Sequence, residues 1–167
     1  MQNYAGIPVL MLAVLLNATL MPVFRLGGGT PDLVFMLVVS WALLADLRSA
    51  MVWAIIGGVL QDTLSIVPLG TSALGLVLVV FGSDLVFGQI QRRNILIPPL
   101  VAAVGTVIYH VTVLLVLRVV NLPVPLSAGL TYVTLPALIY NTILIIPIFR
   151  LVGAVQFWLR PRRVRLE

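Results

Sequence analysis

The stretch Gly57-Gly58-Val59-Leu60-Gln61-Asp62-Thr63-Leu64-Ser65-Ile66-Val67-Pro68-Leu69-Gly70-Thr71-Ser72-Ala73-Leu74 decides how the chain is to be read. It sets an amide and a carboxylate inside an apolar run, follows them with a Pro-Leu-Gly turn, and then begins a second apolar run. Proline and glycine so placed end one helix before the next. A carboxylate inside a membrane span is expensive unless it faces protein and finds a partner. Upstream, Ala50, Ala54 and Gly58 recur at every fourth residue, and Asp62 is the next step of that stripe. Small residues at this spacing let another backbone come close, so Asp62 is expected to face protein rather than lipid.

Composition agrees with a membrane setting. Of 167 residues, 61% are hydrophobic and 9% charged, and the mean hydropathy is +1.18. Successive apolar runs of about 20 residues are the signature of transmembrane helices. The expected fold is an all-α polytopic membrane protein with six transmembrane helices in a single transmembrane domain. There is no cysteine, and with a single histidine, a single glutamate and no lysine the inventory for acid–base or metal chemistry is poor. No catalytic constellation, phosphate loop, nucleotide motif or metal spacing emerges, so no enzyme activity, cofactor or nucleic acid is expected. The first apolar run lacks a basic n-region and is long enough to span, which reads as a retained helix.

Taken in order, the spans fall at about 5–24, 31–45, 49–64, 71–87, 95–117 and 130–149, with a basic tail over 150–167. In the second span Thr30 can cap, Pro31 suits the first helical position and Asp32 suits the positive end of the helix dipole. Asp46-Leu47-Arg48-Ser49 is a tight connection that makes spans two and three a hairpin. Leu151 to Leu159 can continue the last span as an interfacial helix, with Phe157 and Trp158 at headgroup level. Arginines set the orientation. Arg48, Arg92, Arg93, Arg150, Arg160, Arg162, Arg163 and Arg165 fall on the side of the tail, and only Arg25 and Arg118 fall on the other. The positive-inside rule then puts both termini in the cytoplasm. The tail suits anionic lipid, each arginine contributing about 1 kcal/mol near the surface.

Asp62 lies 13 residues past Ser49, or about 20 Å up the helix, in the outer half of a hydrocarbon core about 30 Å thick. Asp32, Arg25 and Arg118 belong to the same side. Two readings stand for the carboxylates: a cluster with Arg25 and Arg118 that serves a partner or a proton, or a helix cap at Asp32 with Asp62 bonded to backbone around the Pro68 turn. Asp84 can pair with Arg92 or Arg93. His110, with Thr106 one turn before it, is read as a packing residue or a proton relay. Asn17 and Asn141 are read as ties between helices, and Tyr140 is left open.

These residues resemble the rod shape-determining protein MreD family. Pro31-Asp32-Leu33 opens a helix after a short outer loop. Gly58, Asp62, Ser65, Pro68, Leu69, Gly70, Ala73 and Leu74 then form Gly-x-x-x-Asp-x-x-Ser-x-x-Pro-Leu-Gly-x-x-Ala-Leu, and Leu138-Ile139-Tyr140-Asn141 precedes Pro147 in the last span. The resemblance covers nearly the whole chain. It marks Asp32, Asp62, Ser65, Pro68, Gly70, Tyr140 and Asn141 as structural or partner-contacting candidates. It implies a non-enzymatic scaffold of the cell-wall elongation machinery in the cell inner membrane. The implied partners are MreC, a single-span protein, and indirectly MreB, RodA and the elongation transpeptidase. It also implies a helix arrangement similar to the substrate-binding subunits of energy-coupling-factor transporters. The alternative is therefore a small-solute binding subunit, which needs convergent polar groups around a cavity on the outer side. For the scaffold, Gly75 is expected on a lipid-facing, partner-binding surface.

Overall fold

The computed structural model describes residues 6–25, 28–87, 96–122 and 125–159. These fold into six helices: α1 (Gly6–Thr19), α2 (Leu33–Leu44), α3 (Leu47–Thr63), α4 (Thr71–Phe87), α5 (Ile97–Val119) and α6 (Leu135–Leu159). A short 3-10 turn, Met21–Phe24, follows α1, and a π-helical stretch, Gly129–Thr134, leads into α6. α5 and the rod that joins the π stretch to α6 are long and apolar enough to cross a membrane. The other apolar helices α1, α2 and α4 are shorter.

α2 is the axis of the bundle and packs against each of the other five helices. Its residues Val34, Phe35, Met36, Val38, Val39, Ser40 and Trp41 are all buried. The reverse holds outside. Leu12 and Leu15 on α1, Leu100 and Val104 on α5, and Leu135, Ile139 and Ile143 on α6 are exposed. A surface this apolar suits hydrocarbon, not water.

Local chemistry sets where the helices begin. The Asp32 carboxylate accepts the Phe35 N–H at 3.0 Å, which makes Asp32 the N-cap of α2. The helix thus starts at Leu33, two residues after the expected Pro31 start, and Thr30 does not cap it. Asp46 does the same for α3, accepting the Ser49 N–H at 3.0 Å, so that helix starts at Leu47 rather than Ser49. The last helix continues past Phe149, as the reading of 151–159 as a helical continuation expects. It runs through Pro147 to Leu159, as proline is tolerated in membrane helices where neighbours resatisfy the freed carbonyl. Phe157 is exposed. The side chain of Trp158, the tail from Arg160, and the expected Asp84 partners Arg92 and Arg93 lie outside the described residues.

α3 and α4 form the closest crossing. Ala50, Ala54, Gly58 and Asp62 are all buried. A Cβ on Gly58 would lie 2.3 Å from the backbone N and Cα of Ala73. Only glycine permits that approach. Gly75, expected on a lipid-facing surface, is instead buried against Tyr109, where a Cβ would sit 2.7 Å from Cδ2. Helix periodicity turns Gly75 inward beside Ser72 and Val79, so Gly75 offers no partner surface.

Candidate functional site

Buried and half-buried polar side chains gather at the end of the bundle where α2 begins and α3 ends. Asp32 is the hub. Its Oδ1 accepts from Asn17 Nδ2 at 2.8 Å as well as from the Phe35 N–H, and its Oδ2 accepts from Gln61 Nε2 at 2.8 Å. The Asp32 N–H donates to Asn141 Oδ1 at 3.0 Å, and the Leu33 N–H donates to Asn17 Oδ1 at 2.8 Å. Two side-chain amides thus take up two of the N–H groups that a helix start leaves without intrahelical partners. Asn141, 1% exposed, passes the network on: its Nδ2 donates to Thr106 Oγ1 at 3.1 Å, and Thr106 donates to the Ala102 carbonyl at 2.7 Å. The Asp32 carboxylate therefore joins α1, α2 and α3, and the Asp32 backbone N–H reaches α6, and through it α5, by way of Asn141.

A second cluster lies on the other face of α3. Asp62, 2% exposed, accepts the Gly70 N–H at 2.7 Å and the Ser72 N–H at 3.1 Å. Those donors belong to the turn and to the first turn of α4. The carboxylate also stands at the positive end of that helix dipole. Gly70 has φ +92°, a left-handed conformation that favours glycine. The Pro68 carbonyl accepts from the Thr71 N–H at 3.2 Å and its hydroxyl at 2.7 Å, closing the turn. Ser65 donates to the Asp62 carbonyl at 3.3 Å and accepts the Val67 N–H at 3.3 Å. Ser72 Oγ accepts from the buried Tyr109 hydroxyl at 3.0 Å, which ties α4 to α5.

Of the two readings of the carboxylates, the geometry matches the cap and the backbone-bonded turn. The arginine cluster does not form. Among the described residues, Asp32 is held by amides and Asp62 by backbone N–H groups, and neither meets Arg25 or Arg118. Amides win because they sit on helices already packed against α2, whereas Arg25 and Arg118 are exposed at helix ends. Tyr140 belongs to neither cluster. Its hydroxyl donates to the Phe24 carbonyl at 2.7 Å and fastens the end of the 3-10 turn to α6. His110 Nδ1 meets the Thr106 backbone carbonyl at 2.9 Å, not the Thr106 hydroxyl.

A cavity of about 300 Å³ lies beside Asp32, lined among others by Asn17, Thr30, Gln61, Ser65, His110 and Val133. Its wall includes Thr30 and Pro31, and the segment just before them is pinned to the π stretch. The Gly28 N–H donates to the Tyr132 carbonyl at 2.9 Å, and Gly29 packs so closely that a Cβ would lie 2.5 Å from the Val133 carbonyl. No local pattern in the sequence encodes this cavity or a role for Gln61. One signal was present: adjacent helix positions point about 100° apart, so Gln61 and Asp62 must serve different neighbours.

An apolar exterior around a helical interior crossed by side-chain hydrogen bonds defines a helix-bundle membrane protein. The chain belongs to the family described as rod shape-determining protein MreD, whose family model matches residues 2–155. Family membership gives it a role in rod-shape determination. No curated protein and no solved structure matches the chain.

Proposed function

We propose that the protein is a non-enzymatic, multi-pass scaffold of the cell-wall elongation machinery in the inner membrane. It binds an MreC-like single-span protein by helix packing. Through that partner it acts with MreB, RodA and the elongation transpeptidase. Both termini are cytoplasmic, and the arginine-rich tail rests on anionic lipid. The observation that carries this reading, beside family membership, is the use of two carboxylates, Asp62 buried and Asp32 half-buried. Asp62 is taken up by two backbone N–H groups, and Asp32 fixes the start of α2. These are roles in holding shape, and a scaffold needs shape.

The test is co-expression of the chain with a full-length MreC-like protein from the same organism, followed by affinity purification in a mild detergent. The two proteins are expected to elute in one peak. A monodisperse bundle that elutes without the partner, in detergent and in lipid nanodiscs alike, would overturn the reading. The likeness to substrate-binding subunits of energy-coupling-factor transporters is likewise a proposal, supported by the six-helix count and by the polar cavity beside Asp32.

A further inference from the structure

We propose that the cavity beside Asp32 is a binding site for a small organic cation, with the ammonium or guanidinium group held by Asp32, Gln61 and His110. The inference does not depend on partner binding. It rests on the hydrogen-bonding capacity left over in the cavity wall.

A carboxylate offers about four acceptor positions. On Asp32 two are taken at Oδ1 and one at Oδ2, which leaves one at Oδ2. Gln61 Oε1 is buried and has no partner. Its orientation is fixed, because the other end of the amide must be the nitrogen that donates to Asp32. His110 Nδ1 faces a carbonyl, which can only accept, so Nδ1 carries the proton and Nε2 of the neutral ring is left as an acceptor. All three side chains line the same cavity. Among the described lining residues Asp32 is the sole formal charge, and no arginine is present. The wall is therefore negative and rich in acceptors, and the complementary guest is positive and rich in N–H donors.

Size and surroundings agree. A volume of about 300 Å³ lies at the low end for small-molecule sites. A carboxylate at membrane depth marks a binding or transport pathway more often than chance. The wall also includes Val133 from the π-helical stretch Gly129–Thr134, and π segments concentrate at functional sites.

His110 is the sole histidine, which gives a site-specific probe. The full chain, carrying a tag without histidine and labelled at histidine Cε1 with carbon-13, would be titrated in micelles with butylguanidinium and with its neutral isostere N-butylurea. The His110 resonance is expected to move saturably with butylguanidinium and at least about tenfold more weakly with the urea. Gln61→Leu should weaken the cation by about tenfold, the loss of one hydrogen bond to a charged group. Asp32→Asn should remove the preference for the cation. Ala18, exposed on α1, lines the cavity, so Ala18→Phe places a ring in it and should abolish the movement caused by butylguanidinium, the free His110 resonance being offset only by the field of the new ring. No saturable movement with butylguanidinium, an equal response to the urea, or undiminished binding in Ala18→Phe would each overturn the site.

Discussion

Asp62 does for α4 what an N-cap does for its own helix, but it does so from the end of α3. Two N–H groups at the start of α4 find their acceptor ten residues or fewer back along the chain. Asp62→Ala would leave both donors without this acceptor, the Ser72 N–H buried and the Gly70 N–H half-buried. The expected loss is about 2–3 kcal/mol, read by unfolding the purified protein in mixed micelles with SDS. Asp62→Asn keeps one acceptor oxygen and should lose clearly less. At Gly70 the cost has another origin. Its φ is +92°, yet a Cβ there would meet nothing within 4 Å. Gly70→Ala should therefore cost only the backbone term, about 1–2 kcal/mol. Gly70→Asn should recover part of it, because asparagine tolerates the left-handed region. A loss at Gly70→Ala as large as at Asp62→Ala would show that the turn, not the carboxylate, carries the stability.

Between elements, the contrast of two glycines on facing helices isolates packing from propensity. Gly58 lies against the Ala73 backbone, whereas Gly82 has nothing within 4 Å. Gly58→Leu should destabilise by about 3 kcal/mol, at the upper end of overpacking, because backbone cannot move aside as a side chain can. Gly82→Ala should be neutral or stabilising by up to about 1 kcal/mol, the helix-propensity difference. The same SDS titration checks both, and equal losses would refute the close crossing of α3 and α4. This crossing was legible in the sequence, since the Ala50–Gly58 stripe needs only helix periodicity. The start of α2 was less so. Thr30 and Asp32 share the chemistry of a cap, and the choice falls to Asp32 through Asn17 and Asn141, the latter 109 residues away. The arginine partners expected for Asp32 and Asp62 failed for a related reason. Counting charges finds opposite signs on one side of a membrane but not which neutral amides already occupy the space. Gly75 was misplaced because a small residue reads alike whether it faces lipid or an aromatic ring. The cavity beside Asp32 is a matter of shape between α1, α3, α5, the start of α2 and the π stretch, and no local pattern encodes it.

At the scale of the molecule, the length of α2 carries a consequence for topology. Twelve residues span about 18 Å, short of a hydrocarbon core about 30 Å thick. One end of α2 joins α3 through only Ala45 and Asp46, with Arg48 just beyond. If that end sits at the cytoplasmic surface, as the arginine distribution requires, then Asp32 ends well inside the membrane. The non-helical Gly28–Pro31 segment must then enter the bundle, which is tolerated only where backbone is covered by protein or lines a cavity. Gly29 and Pro31 are buried, and the Gly28 N–H is paired with Tyr132, as that orientation demands. The opposite orientation would set the Arg48 end and the stretch 160–167, with its four arginines, on the outer side against the positive-inside rule. A green fluorescent protein fused after Glu167 should therefore fluoresce. Alkaline phosphatase fused there should be inactive, and the same enzyme inserted in the 120–125 connection between α5 and the π stretch should be active. The reverse pattern would place the Asp32 cavity on the cytoplasmic side and overturn the proposed topology, while leaving the hydrogen bonds around Asp32 as they are.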